Sequence, residues 1–242
     1  LSDRDLLLAR SLPAARRGPG GARAPVRVHE LMATPVRTIL PAARARTAVR
    51  LLLDERIGAL PVVTATGRLV GIVTTSDFLR ALQRCACWPG SAPAAMATAR
   101  ACMSSPVLDT SPDEDLDAAA TRLFESSVRH LPVLRDGVLV GMLSDRDVRR
   151  GLARLARTDR RLEASGSRAV PRARVAELMS EPCLSVAPET ELHTLVHTLL
   201  EARISALPVV VDGRVVGIVT ATDLLECYAE SAAYSADGAC GG

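Results

Sequence analysis

Arg203-Ile204-Ser205-Ala206-Leu207-Pro208-Val209-Val210 repeats Arg56-Ile57-Gly58-Ala59-Leu60-Pro61-Val62-Val63 with one change, Ser205 for Gly58. The match extends outward. Val28–Val63 aligns with Val175–Val210 without a gap at an offset of 147, and 17 of the 36 positions are identical. After a one-residue deletion, Gly67–Leu79 continues onto Gly213–Leu225 with 9 of 13 identical. A third copy lies between them, marked by Met103, Pro106, Pro112, Leu131-Pro132-Val133, Gly137 and Gly141. The chain opens on Leu1-Ser2-Asp3-Arg4-Asp5, which recurs whole as Leu143-Ser144-Asp145-Arg146-Asp147. The closing aspartates Asp5, Asp77, Asp147 and Asp223 are spaced 72, 70 and 76 residues apart. That period is too long for a solenoid unit and fits a repeated domain of about 60 residues plus a linker. The expected layout is a remnant of a first repeat at 1–12, then complete repeats at 24–84, 97–150 and 172–229. A frayed tail rich in Ala, Ser and Gly follows at 230–242.

Each copy carries the same signals. Apolar positions 45, 48, 49, 52, 53, then 116, 119, 120, 123, 124, then 192, 195, 196, 199, 200 follow the spacing of a one-sided helix. Ser111-Pro112-Asp113-Glu114 reads as a helix start, with Asp113-Glu114-Asp115 as a charged first turn. A β-branched run follows, Leu60–Val63 or Leu207–Val211. Next comes a turn such as Asp136-Gly137 or Asp212-Gly213, where Gly tolerates positive φ. A second apolar strand and a closing helix opened by Ser or Thr complete the unit. A short extended segment near Pro35, Pro106 and Pro182 precedes it. The expected class is α/β of the α+β type, each unit a small sheet flanked by two helices. So small a sheet is marginal alone, and two copies packed sheet to sheet bury both apolar faces.

Composition narrows the function. All 30 basic residues are Arg, so a Lys-dependent phosphate loop is excluded. The net charge of +3 and 2% aromatic content argue against a nucleic-acid binder. No apolar run approaches the roughly 18 residues a membrane span requires. The six cysteines show no CxxC pair and read as reduced thiols of a cytoplasmic protein. Cys85-Ala-Cys87 has no nearby His. His193 and His197, four apart, flank the apolar stripe and read as a solvated face. No metal site and no nucleophile–base pair stands out.

The ordered motif L-M-x-x-P, L-P-V-V, D-G-x-x-V-G-I-V-T-x-x-D-L resembles the cystathionine β-synthase (CBS) domain, and the resemblance covers nearly all of the chain outside linkers and tail. It implies repeats paired into Bateman modules that bind adenosine-containing ligands in clefts between them. The function so implied is regulatory rather than enzymatic: the module senses AMP, ADP or ATP and signals to an attached domain or partner, with no catalytic cofactor. Repeats one and three share Ser-Asp-Arg-Asp; repeats two and four share Arg-Ile-x-Ala-Leu-Pro-Val-Val. Pairing one with two and three with four is therefore expected, within one chain or in a homodimer.

The candidate ligand element is Ser/Thr-x-x-Asp: Ser2/Asp5, Thr74/Asp77, Ser144/Asp147 and Thr220/Asp223. Two readings stand side by side. The pair can be a helix cap, or the carboxylate can clamp ribose hydroxyls. A capping box favours Glu or Gln, and all four copies carry Asp. Arg146 and Arg4, in the first helical turn, oppose the helix dipole and suit a phosphate. By resemblance, His130 and Ala206, just before Leu-Pro, line the adenine side. The competing functions are a structural or dimerisation scaffold with idle clefts, and the regulatory tail of an enzyme or transporter whose functional domain lies upstream.

Overall fold

The computed structural model describes residues 27–30, 32–84, 98–164 and 172–234. Ser2, Arg4, Asp5, Cys85, Cys87 and most of the tail lie outside them, as does the pairing of a first repeat with the second.

In the second repeat, α1 (Ala45–Asp54) leads to β1 (Ala59–Val63), β2 (Leu69–Thr74) and α2 (Thr75–Arg84). The third comprises α3 (Ala99–Cys102), α4 (Leu116–Glu125), β3 (His130–Arg135), β4 (Val138–Ser144) and α5 (Asp145–Ala164). The fourth comprises α6 (Leu192–Glu201), β5 (Ala206–Val211), β6 (Arg214–Thr220) and α7 (Ala221–Tyr234). Each strand pair is an antiparallel hairpin. The lead-in segment adds one parallel bridge to its first strand: Ile39 to Val62, Thr110 to Val133, Val186 to Val209. The hairpin turns behave as expected: Asp136 and Gly137 take φ of 53° and 79°, Asp212 and Gly213 take 49° and 78°.

The expected apolar stripes face the core except at Ala45 and Phe124, which are exposed. Leu116, Ala119, Ala120 and Leu123 join Leu131, Val133, Leu143 and Val148 in the core of the third repeat. The second and fourth repeats share one core, because α2 packs on α6 and α7, and α1 on α7. Gln83 and His197 Nδ1 meet at 3.0 Å across that junction, so His197 has a partner beyond solvent.

The start signal at Ser111 is corrected. Helix α4 begins only at Leu116, after an extended Asp115 that makes no side-chain cap. Ser111–Glu114 form their own turn. Glu114 accepts from Thr110 Oγ1 at 2.6 Å and from Arg122 at 2.7 and 2.9 Å, so it is not a first-turn acid. The partner repeat supplies what a cap would have. Leu116 N–H donates to Ala173 O at 2.9 Å and Val175 N–H to Glu114 O at 3.0 Å. An orphan helix N–H is satisfied from outside.

That docking is reciprocal. Thr98 bridges Glu191 and Ser104 bridges Ile218; seventy-six positions later, Arg174 bridges Asp115 and Ser180 bridges Met142. Each repeat lends its lead-in to the other about a pseudo-two-fold axis. At the seam a methionine lies on a glycine. A Cβ on Gly217 would stand 2.8 Å from Met103 Cγ, and one on Gly141 would stand 2.8 Å from Met179 Sδ. Met142, Ala206 and Ile218 close the seam, with Val107 and Cys183 packed on them. The second repeat has the same parts, with no cover among the described residues. Ile72, the counterpart of Met142 and Ile218, is 65% exposed against 9% for each of those.

The reduced-thiol expectation fails at one pair. Cys102 and Cys227 form a disulfide with their Cα atoms 6.4 Å apart, 125 residues apart in sequence. Composition and spacing carry no trace of a contact that only α3 docking on α7 creates.

Gly217→Val should cost about 1–3 kcal/mol, because the added methyls meet Met103 in a packed seam. Gly71→Val, at the equivalent open position with Val62 Cβ 4.0 Å away, should stay within about 0.5 kcal/mol. Urea midpoints of the two variants test this contrast.

Candidate functional site

Each closing helix starts directly after a strand that ends in Thr or Ser, so the hydroxyl is the N-cap and the Asp falls at the third helical position. The three described copies share one geometry. Thr74 N–H and Oγ1 donate to Asp77 Oδ2 at 2.9 and 2.6 Å, and Asp77 N–H donates back to Thr74 Oγ1 at 3.4 Å. Thr220 N–H and Oγ1 reach Asp223 Oδ2 at 2.6 and 2.7 Å. Ser144 N–H reaches Asp147 Oδ2 at 3.0 Å, with the Ser144 hydroxyl donating to the same oxygen. This is a reciprocal capping box built with Asp. It engages one carboxylate oxygen and leaves the other outside the cap.

The second oxygens differ in their partners. Asp77 Oδ1 takes Arg80 at 2.9 Å. The hydroxyl of Thr74, with the Thr74 N–H and Arg80, holds the Asp77 carboxyl below its ordinary range against the opposing effect of burial. Asp147 Oδ1 has exposed Arg150 at 4.0 Å. Asp223 Oδ1 accepts from Ser104 Oγ at 3.1 Å, a residue of the third repeat's lead-in. Sequence reading missed Ser104. It lies 119 residues away, and its only mark is the echo of Met103-Ser104 in Met179-Ser180.

Strand register gathers the remaining candidates. His130 pairs with Ser144, Ala206 with Thr220 and Ala59 with Thr74. The residue before each Leu-Pro therefore stands beside the hydroxyl of its own box, on the same face. Ala206 is buried in the seam. His130 Nε2 lies 2.9 Å from Ser205 Oγ of the fourth repeat. Burial, joined by the charges of Arg129 and Arg146, lowers the His130 pKa from 6.5 to about 4, although Asp147 pulls the other way. Arg146 is exposed at the second position of α5. Ser144, Asp147, Arg146 and His130 thus form one cluster. Thr220, Asp223, Ala206 and Ser104 form its pseudo-symmetric counterpart. Thr74 and Asp77 stand on the repeat whose sheet face is open. A cluster of half-buried acceptor, small or imidazole side chain and helix N-terminus can hold a polyol and an anion together.

The sequence profile of the CBS domain matches residues 28–84, 99–154 and 175–230. Protein MJ1225 of Methanocaldococcus jannaschii is 25% identical over 206 residues, 84% of this chain and 70% of that protein. Its crystal structure superposes with a TM-score of 0.68 over 83% of this chain and 70% of that one. The CBS domain-containing protein YhcV of Bacillus subtilis is 30% identical over 53% of this chain and 84% of its own. The homoserine O-acetyltransferase of Methanococcoides burtonii is 33% identical over 125 residues, which is 51% of this chain and only 23% of that enzyme.

His130 gives the cluster a pH signature. Its folded pKa is depressed, so the folded protein takes up this proton later than the unfolded chain. The stability at stake is fully present above pH 6.5 and is lost as pH falls toward about 4. Discounted for partial exposure, it amounts to roughly 2–3 kcal/mol. His130→Gln should flatten the fall between those limits, read as the difference in unfolding free energy between wild type and variant at each pH.

Proposed function

The chain belongs to the CBS-domain family, and from that premise we propose that it senses adenosine-containing ligands, AMP, ADP or ATP, at the seam of its third and fourth repeats. The reading is regulatory. Occupancy is passed to an attached domain or a separate partner. No helix among the described residues is long and apolar enough to cross a membrane.

The observation that carries the reading is the division of labour within each aspartate. Oδ2 completes the cap, while Oδ1 takes no part in it and meets Arg150 in one copy and Ser104 in the other. A cap needs only the first. In the proposed complex, Asp147 or Asp223 accepts from vicinal ribose hydroxyls, and Ser144 or Thr220 holds the carboxylate in place. His130 or Ala206 borders the base, and Arg146 meets phosphate at the α5 N-terminus. Asp147 is the first choice, because among the described residues its Oδ1 has a distant, exposed arginine at 4.0 Å, whereas Ser104 already occupies that of Asp223.

We place the repeats at 24–84, 97–150 and 172–229, with 1–12 as the end of a further repeat and 230–242 as a tail. The open sheet face of the second repeat, with Leu69 and Ile72 exposed, suits another CBS repeat, from the same chain or a second copy. The Thr74/Asp77 box would then acquire its own seam, and Ser2, Arg4 and Asp5 would be the matching box.

The scaffold reading has its own support, since the caps are complete without ligand. Calorimetry separates the two. Millimolar AMP, ADP or ATP should give saturable heat, and Asp147→Asn, which retains an acceptor for the Ser144 N–H, should weaken binding by about 1–3 kcal/mol, roughly ten- to hundredfold. No heat and no thermal shift with any of the three nucleotides would leave the scaffold.

A further inference from the structure

The pseudo-two-fold axis relates Cys102 to Leu178 and Cys227 to Gly151, each by the same 76 positions that relate Ser104 to Ser180. On one side, Leu178 packs over Gly151. On the other side the same place holds the Cys102–Cys227 disulfide. At this pair of equivalent places the two halves of the seam therefore differ: one is closed by apolar contact and the other by a bond that a thiol can exchange.

The disulfide is built into the wall of one cluster. Cys102 ends α3 two residues before Ser104, whose hydroxyl donates to Asp223 Oδ1. Cys227 lies four residues after Asp223, on the same face of α7. The bond thus joins the two elements that carry the Ser104–Asp223 contact. It also flanks the Ser104–Ile218 bridge, where Ser104 N–H donates to Ile218 O at 2.9 Å and Ile218 N–H to Ser104 O at 3.1 Å. Cys102 is buried, and Cys227 is partly exposed.

We propose that Cys102–Cys227 is a thiol–disulfide exchange site, served by a dithiol, that sets the rigidity of the Asp223 cluster and leaves the Asp147 cluster untouched. A thiolate of the dithiol attacks Sγ of Cys227, the S–S bond breaks, and the Cys102 thiolate departs and takes a proton. The second thiol of the reagent, once deprotonated, attacks the mixed disulfide, forms the cyclic or paired disulfide of the reagent and releases Cys227, which is protonated in turn. Two electrons and two protons pass to the protein, and the dithiol is oxidised by two electrons. The repeats do not separate. Ala99 N–H still donates to Thr190 O at 2.8 Å, and Arg100 still pairs with Glu189 at 2.7 Å. What loosens is the stretch from Cys102 to Ser104. A ligand at Asp223 then has to order that wall on binding and is held less tightly. This last consequence rests on the nucleotide reading; the loosening does not.

The test uses the whole chain with and without dithiothreitol, beside the double variant Cys102→Ser, Cys227→Ser. Non-reducing peptide mapping should recover the Cys102–Cys227 link. Hydrogen exchange at the Ser104 and Ile218 amides should quicken severalfold on reduction. The Met142 and Ser180 amides, their pseudo-symmetric controls, should not respond. The double variant should exchange like the reduced protein and ignore dithiothreitol. Under calorimetry with AMP or ATP in the Asp147→Asn background, reduction should weaken binding about three- to tenfold, the cost of ordering one or two side chains. Absence of the link, equal exchange in both redox states, or an equal response at Met142 and Ser180 overturns the proposal. Nucleotide that binds equally well in both states overturns its ligand half. Nucleotide that binds in neither state sinks the nucleotide reading and, with it, the ligand half. The exchange data then still decide the rest.

Discussion

The seam between the third and fourth repeats depends on a methionine lying flat on a glycine, twice. Met103 on Gly217 and Met179 on Gly141 bring each lead-in segment down onto the partner's second strand. At that distance the backbones bridge, Ser104 to Ile218 and Ser180 to Met142. A side chain at either glycine would press on the methionine, and at Gly141 also on Ser180 O, 3.2 Å from where a Cβ would stand. A hairpin of two strands cannot bury an apolar face alone. The close approach lets each repeat cover its partner, and the same contact delivers Ser104 to Asp223.

The site inherits its logic from a cap. An N-terminal helix box satisfies orphan N–H groups whether or not a ligand exists, so its presence is no proof of binding. Its form is informative all the same. Asp is shorter than the Glu a capping box prefers, and in the described copies its second oxygen takes no part in the cap. Strand register then sets His130 or Ala206 beside the hydroxyl. The two clusters differ in charge and in freedom. One has Arg146 and a neutral imidazole. The other has alanine, a borrowed serine and a disulfide behind it. The two repeats thus hold similar clusters in different surroundings.

The second repeat supports the fourth from the opposite side. Its helices α1 and α2 share a core with α6 and α7, while among the described residues nothing covers its own sheet face, where Ile72 is exposed. The fourth repeat is thus held on two sides, by a sheet seam and by a helical layer. Helix α7 takes part in both, with Leu224 and Leu225 in the shared core and Asp223 and Cys227 bonded to the third repeat's lead-in.

The chain's sequence, by itself, determined the repeat, its period, the helix–strand–strand–helix order and the Ser/Thr-x-x-Asp boxes. These rest on local periodicity, turn chemistry and direct recurrence of Leu60–Val63 in Leu207–Val210. The Asp-Gly turns came out as read, because positive φ at two successive residues is a local demand. Tertiary structure alone decided where α4 begins, since its first N–H is satisfied by Ala173 from another repeat. It alone decided that Cys102 meets Cys227, and that Ser104 reaches Asp223 across 119 residues. Such contacts arise from docking one repeat on another. They leave no periodicity along the chain, so only the packed pair brings them into being.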